Sequence, residues 1–239
     1  MLTETFSHLP GISTRGEESL HTLGIRNWNA FLRTPHIKGI GAKRKLILDT
    51  HLRADTRALE NHEWSRFHTW PKKLHHRALP HLDRILYLDI ETYGVKSRTI
   101  TIIALSDSEN VRILEGTTDQ ETLARIIAGF EAIITYNGNR FDLPYLKRIH
   151  HTLTFPFTID LEPLCAQHGL TGGLKHIETH LGIEREEKLI GGDPLDLWRR
   201  YRASHDEHYL DILTAYASQD VLSLPIILDH LQKNTRAFT

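Results

Sequence analysis

The stretch Tyr87-Leu88-Asp89-Ile90-Glu91-Thr92 ends the hydrophobic run Ile85–Ile90 in two carboxylates. In an extended strand successive side chains point to opposite faces, so Asp89 and Glu91 share one face while Ile90 takes the other. Like charges so placed repel, and each is driven toward protonation unless a cation lies between them. Two further acids stand in comparable positions. Asp142 follows a strand-like Ala132–Tyr136 and the turn Asn137-Gly138-Asn139, just ahead of a helical segment. Asp220 comes four residues after Tyr216 in "AYASQDVLSLPIIL", a spacing that stacks hydroxyl and carboxylate on one helix face. Each feature alone has a plainer reading: a solvent-facing strand end, a helix N-cap with Pro144 in the first turn, a surface pair. Together they form an all-oxygen donor set without thiolate or imidazole, which suits Mg²⁺ or Mn²⁺ rather than zinc. Two such ions can stabilise both the attacking and the leaving oxygen of a phosphoryl displacement.

Positioning these acids requires strands that end together and helices that cover them. From Arg84 the chain reads as strands over Ile85–Ile90, Thr99–Leu105 and Val111–Leu114. A helix over Asp119–Phe130, a strand at Ala132–Tyr136, a helix near Leu143–His150, a short strand at Thr158–Asp160 and a helical last third follow. Three consecutive strands and then alternating helices and strands predict an α/β fold with a mixed sheet flanked by helices.

The first 54 residues have another texture. "LPGIS" (Leu9–Ser13) and "IKGIGAKRKLIL" (Ile37–Leu48) each place glycine ahead of a helical pattern, and Gly11 and Gly39 lie 28 residues apart, so one helix-turn-helix unit is used about twice. Residues 55–83, broken by Pro71 and Pro80, read as a connector that packs Trp64, Phe67 and Trp70. The expected organisation is therefore a small all-α module over 1–54, a connector over 55–83 and the α/β domain over 84–239. The charge divides likewise. Residues 1–84 carry 14 Lys/Arg against 8 Asp/Glu, net +6, and the remainder 15 against 22, net −7. A basic segment joined to an acidic one suggests that the basic part faces something anionic. With a single cysteine, Cys165, no disulfide forms within the chain, and a cytoplasmic location is expected. No apolar run approaches the roughly 18–20 residues of a membrane span, and none of the 17 histidines joins a cluster with zinc spacing. Oligomeric state leaves no trace in the sequence.

The three acidic motifs, Asp89-Ile90-Glu91, Asn137-Gly138-Asn139-Arg140-Phe141-Asp142 and Tyr216-Ala217-Ser218-Gln219-Asp220, resemble in order and context those of the DnaQ-like, or DEDD, 3′→5′ exonucleases on the ribonuclease H-like fold. Tyrosine rather than histidine in the third motif is similar to the DEDDy branch. "LPGI", "YLDIET", "TYNGNRFDLPYL", "LKHIETHLGI" and "DVLSL" further resemble the predicted exonucleases that join a helical segment to a YprB-like ribonuclease H-like domain. The resemblance implies a mixed five-stranded sheet preceded by a helix-hairpin-helix-like module. It also implies two ions, with Asp89 bridging both, Glu91 and Asp220 completing the water-activating site, Asp142 serving the second metal and Tyr216 orienting the attacking water. Gly11, Gly39, Gly41, Lys43 and Lys45 would meet phosphates at the glycine turns, helped by Lys38 and Arg44, and Asn137 and Phe141 would touch the terminal nucleotide. The activity so implied is removal of nucleotides from a 3′ end, with single-stranded DNA the favoured partner. The alternatives are an exoribonuclease, a structure-specific endonuclease of the same fold, and a nucleic-acid-binding adaptor without catalysis.

Overall fold

The computed structural model describes residues 1–94, 97–116, 118–185 and 193–234. They form two compact units that divide between His81 and Leu82.

The N-terminal unit contains α1 (Thr14–Thr22), α2 (Trp28–Arg33) and α3 (Ala42–Glu60), with 3₁₀ segments at Leu2–Glu4, Trp64–Thr69 and Lys72–His81. The 28-residue sequence repeat is a structural one. In Leu9-Pro10-Gly11-Ile12 and in Ile37-Lys38-Gly39-Ile40 the isoleucine N–H donates to the carbonyl three residues before it, at 3.1 and 3.0 Å. The glycine in third place has φ of +72° or +85°, the conformation this turn demands and a side chain resists. Each helix starts three residues after that glycine. Ser13 caps α1 by accepting from the Gly16 N–H, and Gly41 stands at the equivalent place before α3. Arg44 Nη2 donates to the Gly11 carbonyl at 2.6 Å and so ties the second turn to the first.

The expected break at residue 54 is absent, because α3 runs through it to Glu60. Asp55, fully buried, accepts from Arg66 Nε at 2.7 Å and pairs with His8 at 3.0 Å. His8 in turn stacks on Trp70, ring centroids 3.7 Å apart. Residues 55–81 are thus part of the N-terminal unit rather than a connector. Their weak helical periodicity has a physical cause, since 3₁₀ segments repeat every three residues and not every 3.6.

The second unit is built on β1 (Ile85–Thr92), β2 (Ile100–Ser106), β3 (Val111–Glu115), β4 (Ala132–Thr135) and β5 (Phe157–Asp160), in the order β3-β2-β1-β4-β5. β1 is antiparallel to β2, β2 to β3, while β4 runs parallel to β1 and to β5. This is the mixed five-stranded α/β arrangement expected from the sequence. The helices are α4 (Gln120–Ile127), α5 (Asp142–Ile149), α6 (Leu161–Gln167), α7 (Leu174–Leu181), α8 (Pro194–Ser204) and α9 (Glu207–Asn234). Alternation along β1 decides which face each residue serves. Leu86, Leu88 and Ile90 join Ile103, Leu105 and Ile133 in a core closed by Leu123 and Ile127 of α4 and by Tyr145 and Leu146 of α5. The other face carries Asp89 and Glu91, and α9 packs across β1, β2 and β3. On α9 the buried positions Leu210, Leu213, Tyr216, Ala217, Asp220, Val221, Ser223, Leu224, Ile227, Leu228 and Leu231 follow helical spacing. Tyr216 and Asp220 are therefore carried inside a mainly apolar stripe, in which the buried Ser223 hydroxyl donates back to the Gln219 carbonyl.

Candidate active site

At the centre of the second unit Asp89, Glu91 and Asp220 each offer a carboxylate oxygen, and the three oxygens lie within 4.8 Å of one another. β1 supplies two of them by strand alternation and α9 the third from its packed face. Asp142 is adjacent but differently employed. β1 outruns β4, whose register with it stops at Tyr87, and beyond that point the Ile90 N–H donates to Asp142 Oδ1 at 3.0 Å. The first residue of α5 thereby satisfies the overhanging strand, and Asp142 is 4% exposed.

Burial raises every acid of the group. Burial holds Asp89 well above the usual carboxylate range, reinforced by the charges of Asp142, Asp220 and Glu91 and opposed by Arg185. Glu91 is pushed to about 8 by burial and by Asp220 and Asp142. Asp142 reaches about 7 through burial, against the Ile90 hydrogen bond. Asp220 reaches about 6, burial outweighing the Arg185 guanidinium beside it. A divalent cation is the group that relieves such a concentration of partly buried negative charge, and a donor set made only of carboxylates fits a hard ion. The Tyr216 phenol is also raised, by burial first and then by Asp220 and Glu91, so it remains a hydrogen-bond donor across the physiological range. Lys175 Nζ lies 4.5 Å from the centre of its ring, and the Arg185 guanidinium 5.3 Å.

The loop before α5 is braced from β5. Asp160 Oδ1 accepts the Asn137 N–H at 2.7 Å and Oδ2 the Asn139 N–H at 3.1 Å, while Oδ1 also caps α6 through Glu162 N–H. Asn137 is left-handed, with φ +60°, and its buried Oδ1 has no hydrogen-bond partner among the described residues. A side chain on Gly138 would bring its Cβ to 2.4 Å from Thr135, which confines the position to glycine. Phe141 is partly buried against the core beside Tyr145, ring centroids 5.7 Å apart, rather than among the acids.

The residues nominated at the glycine turns separate. Lys38 and Lys43 are exposed next to Gly39 and Gly41. Lys45 is not available to a phosphate: it is buried, its Nζ pairs with Asp49 at 2.6 Å and sits 4.7 Å from the centre of the Phe31 ring. The sequence pattern of basic residues could not show this, because position 45 falls on the buried face of α3 with Leu48 and Leu52.

Four residues of the site escaped the sequence reading: Lys175, Glu178, Arg185 and Asp160. Asp160 had a signal, an acid closing a predicted strand just ahead of a helix. Glu178 lay inside the stretch LKHIETHLGI without a role to mark it, and Arg185 had no signal, since their pairing depends on how α7 and the chain beyond it approach α9.

The family model for the RNase_H superfamily matches residues 86–232. The chain belongs to that superfamily, and the match spans the sheet from Leu86 of β1 onward and the acids of the candidate site. Among solved structures, it is similar to the family B DNA polymerase from the hyperthermophilic archaeon Pyrobaculum calidifontis, with TM-score 0.51 and 18% sequence identity over 62% of this chain. The similar region is 24% of the polymerase chain. No curated protein matches the sequence. Among the described residues no helix is long and apolar enough to cross a membrane.

Proposed function

We propose that this protein is a metal-dependent 3′→5′ exonuclease of the DEDDy type, acting on single-stranded DNA. The observation that carries the reading is the convergence of Asp89 and Glu91 from one strand face with Asp220 from α9, their oxygens within 4.8 Å, in a member of the RNase_H superfamily. Asp89, Glu91 and Asp220 would hold one Mg²⁺ or Mn²⁺, and Asp142 with Asp89 a second. When bound, the ions would supply positive charge to the attacking and leaving oxygens of the phosphodiester. The chain's own groups do the rest. Tyr216, protonated and one helical turn from Asp220, donates to and orients the water. Asp160 fixes the 137–139 loop, which leaves the buried Asn137 Oδ1 as an acceptor for a nucleotide N–H or O–H donor. The N-terminal unit grips the strand through Lys38 and Lys43 at the second glycine turn.

The test is incubation with 5′-labelled DNA and RNA, single- and double-stranded, with Mg²⁺, Mn²⁺ or chelator. A ladder shrinking from the 3′ end of single-stranded DNA, abolished by chelator and by Asp89→Ala, is the expected result. Preferential digestion of RNA makes the protein an exoribonuclease, and internal cuts make it an endonuclease. Binding without turnover in any metal refutes the catalytic reading.

A further inference from the structure

Arg185 is nearly buried, its side chain 8% exposed, and it stands between two acids with different roles. Nε and Nη2 donate to the two oxygens of Glu178 at 2.5 and 2.7 Å, a fork that matches guanidinium to carboxylate. Nη2 also donates to Asp220 Oδ1. Nη1 is buried and has no hydrogen-bond partner among the described residues. Glu178, 1% exposed on α7, is outside the group of three converging carboxylates; Asp220 is inside it. The same Asp220 carboxylate is thus shared between a guanidinium and the place where the proposed cation would bind.

Building on the metal reading above, we infer that Arg185 is an exchangeable counter-cation of the acidic pocket, anchored by Glu178 and in competition with the divalent ion for Asp220. A purely structural bridge would be expected to satisfy its donors, because an unpartnered buried N–H is costly. Here the fork to Glu178 is complete, the contact to Asp220 is a single one, and Nη1 has no partner among the described residues. Releasing Asp220 therefore leaves the guanidinium held by its main anchor. Glu178 also sets how strongly Arg185 presses on Asp220: the guanidinium charge is already partly answered by the Glu178 fork, so removing that answer sends it toward Asp220. The two residues consequently have opposite effects on metal affinity. Loss of Arg185 removes both a competitor and a like charge near the ion. Loss of the Glu178 charge strengthens the competitor.

The experiment is isothermal titration of Mn²⁺ into the full chain at pH 8, comparing wild type with Arg185→Ala, Arg185→Gln, Glu178→Gln and Asp220→Asn, alongside thermal unfolding of each. Arg185→Ala is expected to bind Mn²⁺ about tenfold more tightly, equivalent to about 1.4 kcal/mol, and Glu178→Gln several-fold more weakly. Arg185→Gln keeps a donor without the charge and is expected to tighten binding as well, which preserves the test if the alanine variant does not fold. Equal or weaker binding in both Arg185 variants, with wild type binding normally, overturns the inference and leaves the metal site intact. Absence of Mn²⁺ binding to wild type and to both Arg185 variants alike overturns the metal reading and this inference with it.

Discussion

Glu91→Gln separates stability from activity most sharply. Glu91 has its ordinary value of 4.5 raised to about 8, by burial first and by the charges of Asp220 and Asp142 next. A carboxyl raised on folding holds its proton more tightly in the folded chain, so the associated stability is present at low pH. It is lost as pH rises from about 4.5 toward 8. The span corresponds to about 5 kcal/mol at most. Because Asp89, Asp142 and Asp220 titrate against the same charge, about 2–3 kcal/mol is the effect expected from relieving Glu91 alone. For a unit of this size each kcal/mol moves Tm by about 2–4 °C. In chelator at pH 8, Glu91→Gln should therefore melt about 5–10 °C above wild type, and the gap should close by pH 5. Saturating Mn²⁺ should reverse the order, since wild type gains stability from an ion that the variant holds poorly. Scanning calorimetry at pH 5, 6.5 and 8, with chelator and with Mn²⁺, measures all of this, and a nuclease assay should show the stabilised variant inactive. A Glu91→Gln protein no more stable than wild type at pH 8 in chelator would refute the claim that uncompensated charge is stored at this site.

Asp160→Asn should leave the acids in place but loosen the 137–139 loop, lowering activity about 10–100-fold, as loss of a supporting hydrogen-bond partner does at metal sites; steady-state kinetics with unchanged Mn²⁺ affinity would identify the cause. Gly138→Ala should cost about 1–3 kcal/mol in denaturant unfolding, because the added Cβ meets Thr135 at 2.4 Å. Lys38→Glu with Lys43→Glu should weaken binding to single-stranded DNA and flatten its salt dependence by roughly one to two phosphate contacts. The active site should be untouched, as reported by Mn²⁺ titration. Lys45→Glu should instead unfold the N-terminal unit more readily, by about 3 kcal/mol, since it sets a buried carboxylate against Asp49; fluorescence of Trp28 and Trp70 follows that transition.

What the sequence determined by itself was whatever depends on short spacing. Period two put Asp89 and Glu91 on one strand face, and the interval of four put Tyr216 above Asp220. The glycine repeat foretold two turns of one kind, each opening a helix. The order of apolar segments was enough for a mixed sheet with helices on its faces. These are local properties, set by backbone geometry within a few residues. Lys45, Arg185 and residues 55–81 were decided elsewhere. A lysine in a basic run looks available to phosphate until Asp49 and Phe31 close around it. Arg185 becomes part of the pocket only because α7 holds Glu178 opposite α9, bringing together residues 35 apart in the chain. The segment after Glu60 joins the N-terminal unit because Asp55, His8 and Trp70 meet across more than sixty residues. Which carboxylates share a cation, and which basic groups are already spent, follows from faces that meet only when the chain has folded.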